Sequence, residues 1–151
     1  METVNATRRS FTRASFISLV AAAGVLPQYS AGQAQEKPSG TTPTRRKVIE
    51  QDLPGEPKRT LTLVEVTYPP GAGSPPHLHA NGVMAFVVSG AIASRVDDGP
   101  EQTFRAGDAW WERPGAIHRV SRNASTSEPA TLLAMFVAPT GASAAELTKP
   151  L

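Results

Sequence analysis

The chain holds three histidines, His77, His79 and His118, and they are the residues best suited to chemistry. Two of them form His77-Leu78-His79. On a β-strand, side chains i and i+2 point to the same face, so both imidazoles can converge on one point. Neutral imidazole is a borderline ligand that suits Fe, Mn, Zn, Ni or Cu. His118 follows 39 residues after His79, beyond several turns that can bring the chain back beside the pair. His-x-His alone is a weak pattern. Its weight here comes from the lack of any other histidine and from a turn-rich chain that can fold back on itself. The absence of cysteine excludes disulfides and thiolate metal ligands.

The elements that must position these rings read as strands. Fourteen prolines and twelve glycines in 151 residues argue against a helical bundle and for many turns. Residues 60–68 are β-rich and stop at Pro69-Pro70-Gly71. Residues 83–89 form an apolar run ending at Gly90, and 91–96 continue it to the turn Asp97-Asp98-Gly99-Pro100. Short segments follow at 102–105, 109–112 and 117–121, with 131–138 closing the set before Pro139. Seven or eight short strands between turn residues indicate a β-sandwich or small barrel, and an immunoglobulin-like sandwich has the same strand statistics. The expected organisation is a leader over 1–34, an arm over 35–59 whose residues 45–53 could form a first strand, a β-barrel over 60–139, and a tail over 140–151.

Charge narrows the class of partner. The leader region contains Arg8, Arg9 and Arg13 against Glu2, so the remaining chain has twelve basic and twelve acidic residues. That balance removes most of the support for nucleic-acid binding, which needs a basic face. Arg8-Arg9-Ser10-Phe11 precedes an apolar stretch from Phe16 to Leu26, and Gly32-Gln33-Ala34 offers small residues at a cleavage spacing. The arrangement resembles a twin-arginine leader cut after Ala34. It implies a prokaryotic host and a mature protein in the periplasm or outside the cell. No apolar run reaches the eighteen residues of a lasting membrane span.

Two spaced patterns around the histidines resemble those of the cupin superfamily. The first family motif is Gly, five residues, His-x-His, three or four residues, Glu, six residues, Gly; here it runs from Gly71 through His77 and His79 to Val83 and Gly90. The second is Gly, five residues, Pro-x-Gly, two residues, His, three residues, Asn; here Gly107, Gly115 and His118 match. Arg113 stands where the family has proline, with Pro114 beside it, and Asn123 falls one place late. The resemblance covers residues 60–138. It implies an all-β fold, the cupin double-stranded β-helix or jelly-roll barrel, with His77, His79 and His118 as ligands of a divalent metal ion inside it. It also implies a homodimer paired through an edge strand and a swapped first strand. One departure stands out: the motif's glutamate ligand is Val83, which cannot bind metal.

Several other residues carry two readings each. Glu65 and Glu112 could point inward as a replacement carboxylate or general base, or outward to solvent. Trp110 and Trp111 are adjacent, so a strand sends one into the core and the other to the outer surface or a dimer contact. Met84, Phe86 and Val88 read as barrel wall. Asn81 suits a turn, and Arg95, Arg119 and Arg122 suit solvated strand faces or a carboxylate ligand.

Two function classes follow. The first is a metalloenzyme: three imidazoles with open positions for a small chelating substrate, as in cupin dioxygenases, or a zinc or manganese hydrolase or isomerase. The second is a non-catalytic binder or sensor of small molecules. A structural metal clamp ranks behind both, because such sites close with four protein ligands.

Overall fold

The computed structural model describes residues 40–151. The leader expected over 1–34 and the start of the arm lie outside them. Eleven strands and one helical turn follow in order: β1 (Thr44–Leu53), β2 (Arg59–Tyr68), β3 (Gly73–Ser74), β4 (His77–His79), β5 (Val83–Ser89), β6 (Ala91–Val96), β7 (Gln102–Arg105), β8 (Ala109–Glu112), β9 (Ala116–Asn123), β10 (Ala130–Pro139), α1 (Ala144–Leu147) and β11 (Lys149–Pro150). The longer strands start and stop within a residue or two of the turn signals. The surplus over seven or eight comes from three segments of two or three residues, too short to show a period.

Two antiparallel sheets face each other. The first is ordered β1-β2-β10-β5-β8 and the second β11-β4-β9-β6-β7, with β3 also paired to β9. Strict alternation along β10 buries Ala130, Leu132, Ala134, Phe136 and Ala138 and leaves the intervening side chains outward. These residues join Val66, Tyr68, Val83, Val87, Ile92 and Leu147 in one core between the sheets. This is the expected jelly roll. Met84, Phe86 and Val88 lie on the outer side of the wall, exposed, while Val83, Ala85 and Val87 line its inside. Strand parity decides this, because a run that is apolar throughout does not say which alternate set faces in.

Two bulges set which side chains reach the interior. On β9, Val120 pairs with Arg95 and His118 with Val96, so Arg119 is the extra residue. The alternation changes phase there: Ala116 and His118 face inward, and so do Ser121 and Asn123. An unbroken strand could not bury positions five apart on one face. Asn123 is thereby a buried tie. Its Nδ2 donates to the carbonyls of Tyr68, Pro69 and Glu128 at 3.1, 3.1 and 2.7 Å, and its Oδ1 accepts the Ser125 N–H.

On β1 the register shifts between Lys47 and Ile49, leaving Val48 unpaired. Arg45 and Lys47 then share the inner side with Glu50 and Asp52. In this chain β1 pairs with β2 of the same molecule, forming the sheet edge. The tail is ordered around α1, where the Glu146 carboxylate accepts the Ser143 N–H and Oγ–H, both at 2.7 Å. Leu147 is buried in the core, and β11 pairs with the histidine strand β4. Among the described residues, no helix is long and apolar enough to cross a membrane.

Candidate metal centre

The second sheet brings the three imidazoles together. His77 pairs directly with His118 across β4 and β9, and His79 lies two residues along on the same face. All three are buried. Each offers a ring nitrogen within 4.8 Å of the other two. The sequence-derived set is therefore assembled at one inward-facing point.

Hydrogen bonds fix two of the tautomers. His77 Nδ1 lies 2.8 Å from the Pro75 carbonyl and His79 Nδ1 3.0 Å from the Leu147 carbonyl. A carbonyl only accepts, so both Nδ1 atoms carry the proton and both Nε2 atoms present a bare lone pair in the neutral ring. Those two Nε2 atoms stand 3.1 Å apart. Facing lone pairs at that distance repel unless a cation lies between or beside them. Burial pushes the His77 pKa down and that of His79 down to about 4; the carbonyl bonds oppose this only in part. His118 goes down to about 3, through burial first and then the neighbouring imidazoles. Neutral rings with aimed lone pairs are the form that binds a metal.

The opposite sheet adds a carboxylate. Glu112 ends β8 with 1% of its surface exposed. Its Oε1 accepts the Trp110 Nε1–H at 2.9 Å and lies 3.1 Å from His118 Nδ1. Its Oε2 lies 3.7 Å from His79 Nε2 and has no hydrogen-bond partner. Burial raises its pKa to about 7, against the Trp110 hydrogen bond, which lowers it. Ser94 Oγ sits 2.8 Å from His118 Nε2, so Nδ1 is the nitrogen of that ring that faces the carboxylate and is left to offer as a ligand atom. A cluster with bare imidazole nitrogens and an unpartnered carboxylate oxygen is short of a cation, and a divalent metal fits it.

The remaining sequence candidates separate cleanly. Glu65 faces outward and pairs with Arg46 at 3.1 Å, so it is no part of the site. Arg119 bonds the Asp97 carbonyl and lies 3.4 Å from Asp98, while Arg122 pairs with Glu101. Trp110 is half-buried and stacked on Phe104 at 4.4 Å; Trp111 is 60% exposed. Asn81 lies in the turn between β4 and β5. Ser94 carried no signal of its own, because serine is common on strands and only its place opposite Ser121 aims it at His118.

A cavity of about 1020 Å³ opens in front of the histidines. Val64, Val66, Leu132, Ala134 and Phe136 make its wall largely apolar. Arg45 reaches its rim, where the guanidinium donates to Ser74 Oγ at 2.8 Å. Ser74 in turn contacts the Tyr68 hydroxyl, which bonds Ser121 Oγ at 2.8 Å.

Comparison with known proteins agrees with this fold. The family model described as the cupin domain matches residues 64–136. No curated protein matches the chain. A conserved protein with a double-stranded β-helix domain from Klebsiella pneumoniae is 28% identical, with a TM-score of 0.55 over 70% of this chain and 84% of that one. An RmlC-like cupin family protein from Methanocaldococcus jannaschii is 13% identical, with a TM-score of 0.52 over 70% and 88%. KdgF from Halomonas sp. is 22% identical, with a TM-score of 0.51 over 64% and 78%. The two more distant likenesses speak for the fold alone. The matched domain, the two-sheet β-helix and these structures together support the cupin superfamily for this chain.

Proposed function

We propose that the protein binds a divalent transition metal through His77, His79 and His118 and acts as a metal-dependent enzyme, of oxygenase type or a relative, on a small chelating molecule. The observation that carries this is the pair of bare Nε2 atoms held 3.1 Å apart by carbonyl bonds to both Nδ1 atoms. A bound metal would supply a Lewis-acidic centre with positions free for a ligand's oxygen atoms. The protein's own part is positional. The Pro75 and Leu147 carbonyls hold the rings, and the apolar wall excludes water.

Metal content of freshly isolated protein, followed by oxygen uptake with ferrous protein and a panel of enols, diketones and phenolic acids, tests the reading. Near-stoichiometric metal with substrate-dependent turnover that His118→Ala removes is the expected result. Metal-free, fully folded protein refutes it. Ligand affinity that survives His118→Ala without turnover points to the binder instead.

Two further features belong to the same proposal. The pattern of residues 1–34 supports export to the periplasm or the medium. The outer face of the first sheet supports a homodimer: Ile49, Leu63, Met135, Met84 and Trp111 form one apolar row across all five strands. Ile49, Met84 and Trp111 are exposed in that row, and an exposed apolar surface of this kind is one that a second copy can cover about a two-fold axis. Light scattering should give twice the monomer mass for the mature chain and the monomer mass for Met84→Lys/Trp111→Lys.

A further inference from the structure

We infer that Glu112 is the oxygen ligand of this metal centre, supplied from the strand beside the one on which the family motif places its carboxylate. The inference rests on the three-histidine reading and adds a fourth ligand from the opposite sheet.

Register is the first argument. Val83, the position where the motif has glutamate, pairs directly with Glu112 across β5 and β8. Both residues are buried and both line the cavity before the histidines. Directly paired side chains on one face of an antiparallel sheet stand only ~4.5–5.5 Å apart at Cβ. A glutamate spans that offset, so exchanging the residue types between the two positions moves the carboxylate sideways and keeps it within reach of the same point.

Orientation is the second. The Trp110 indole occupies Oε1 from two residues back on the same face, which holds the carboxyl group in one pose. Oε2 is left 3.7 Å from His79 Nε2, a nitrogen that itself presents a bare lone pair. Among the described residues, it is the buried side-chain oxygen that lacks a hydrogen-bond partner. A buried carboxylate oxygen without a donor is costly. The polar atom beside it, His79 Nε2, presents a lone pair and at 3.7 Å is too far for a hydrogen bond, so the gap fits a cation shared between oxygen and nitrogen.

Charge is the third. Three neutral imidazoles leave a divalent ion with its full charge in a buried, largely apolar cavity. One carboxylate halves that charge, as buried ions require. The alternative role, a protonated Glu112 acting only as a donor to His118, makes no use of the orientation of Oε2.

Titration of the metal-free protein with Co²⁺, read by its visible absorption and by calorimetry, tests the assignment in wild type, Glu112→Gln, Glu112→Val and the double variant Val83→Glu/Glu112→Val. Circular dichroism and thermal melting of each metal-free form establish folding. We expect both single variants to bind Co²⁺ at least roughly tenfold more weakly, in the range by which metal-site partners act, with an altered spectrum. We expect the double variant, which returns the carboxylate to the motif position, to recover most of the affinity. Wild-type affinity and an unchanged spectrum in both folded single variants would overturn the assignment and leave the three-histidine centre standing. A wild-type protein that takes up no Co²⁺ would overturn the centre itself.

Discussion

Adding Co²⁺ or Ni²⁺ to the metal-free protein should raise its melting temperature, and His118→Ala should remove most of that rise. The site belongs to the folded state, because His77 and His118 meet only through the β4–β9 pairing. A ligand bound by the native form alone stabilises it by RT ln(1 + [L]/Kd), which is about 2.7 kcal/mol at a hundredfold excess over Kd. Unfolding entropy near 60 °C is ~2.1 cal/mol/K per residue. For the described residues 40–151 this gives about 0.24 kcal/mol/K. The expected shift is therefore about 11 °C, reduced by any binding of the unfolded chain through His77-Leu78-His79. Differential scanning fluorimetry across a metal series gives the number directly. His118→Ala leaves the two rings on β4, so a shift of a few degrees at most is expected. A full shift in that variant would show that the metal sits elsewhere, and the geometric argument would be wrong.

Other predictions concern the frame that holds the rings. Asn123→Ala should destabilise the fold by about 3 kcal/mol, because it strips donors from three carbonyls and an acceptor from Ser125; a urea midpoint unchanged from wild type would contradict the tie assigned to it. Gly90→Ala should cost at least about 2 kcal/mol, since φ is +72° and the new Cβ would approach the Pro129 oxygen at 2.7 Å. Gly107→Ala, at φ +93° with open space around it, should cost only about 1 kcal/mol, so equal losses in the two variants would dismiss the clash argument. The Glu146 pKa is held down by its bonds to the Ser143 backbone and hydroxyl. A depressed carboxylate stabilises above its ordinary pKa of 4.5 and loses that contribution as pH falls through the lowered value. Protection of the Leu147 and Thr148 amides, taken relative to the intrinsic exchange rate at each pH, should therefore fall in acid in the wild type, and a matching protection profile in Glu146→Gln would refute the cap.

The strands were legible because their signals are local, whereas the jelly roll was legible only through the resemblance of the two histidine motifs to the cupin superfamily, since strand statistics alone fit an immunoglobulin-like sandwich equally well. The turn residues Pro69-Pro70-Gly71, Asp97-Asp98-Gly99-Pro100 and Pro114-Gly115 bracket the strands, and the i, i+2 rule puts His77 and His79 on one face before any fold is known. The three-residue β4 was legible through its histidines, whereas β3 and β11 exist only as bridges to partners distant in sequence. Met84, Phe86 and Val88 were placed in the wall, but the side they take depends on the parity of the whole strand.

The two glutamates show where sequence reasoning ends. Glu65, between Val64 and Val66, and Glu112, between Trp111 and Arg113, both read as strand residues that could take either face, yet one pairs with Arg46 in solvent and the other lies between His79 and His118. Nothing within either strand separates them, because the difference is which face each sheet turns toward the core. The order of residues alone settled the chemistry available, three imidazoles with no thiolate, and the succession of short strands, since both follow from residue type and near neighbours. Tertiary structure alone decided that a carboxylate from β8 stands opposite Val83 and faces the three rings. That proximity comes from the β5–β8 register and from the packing of one sheet on the other, and neither leaves a mark within a few residues of Glu112.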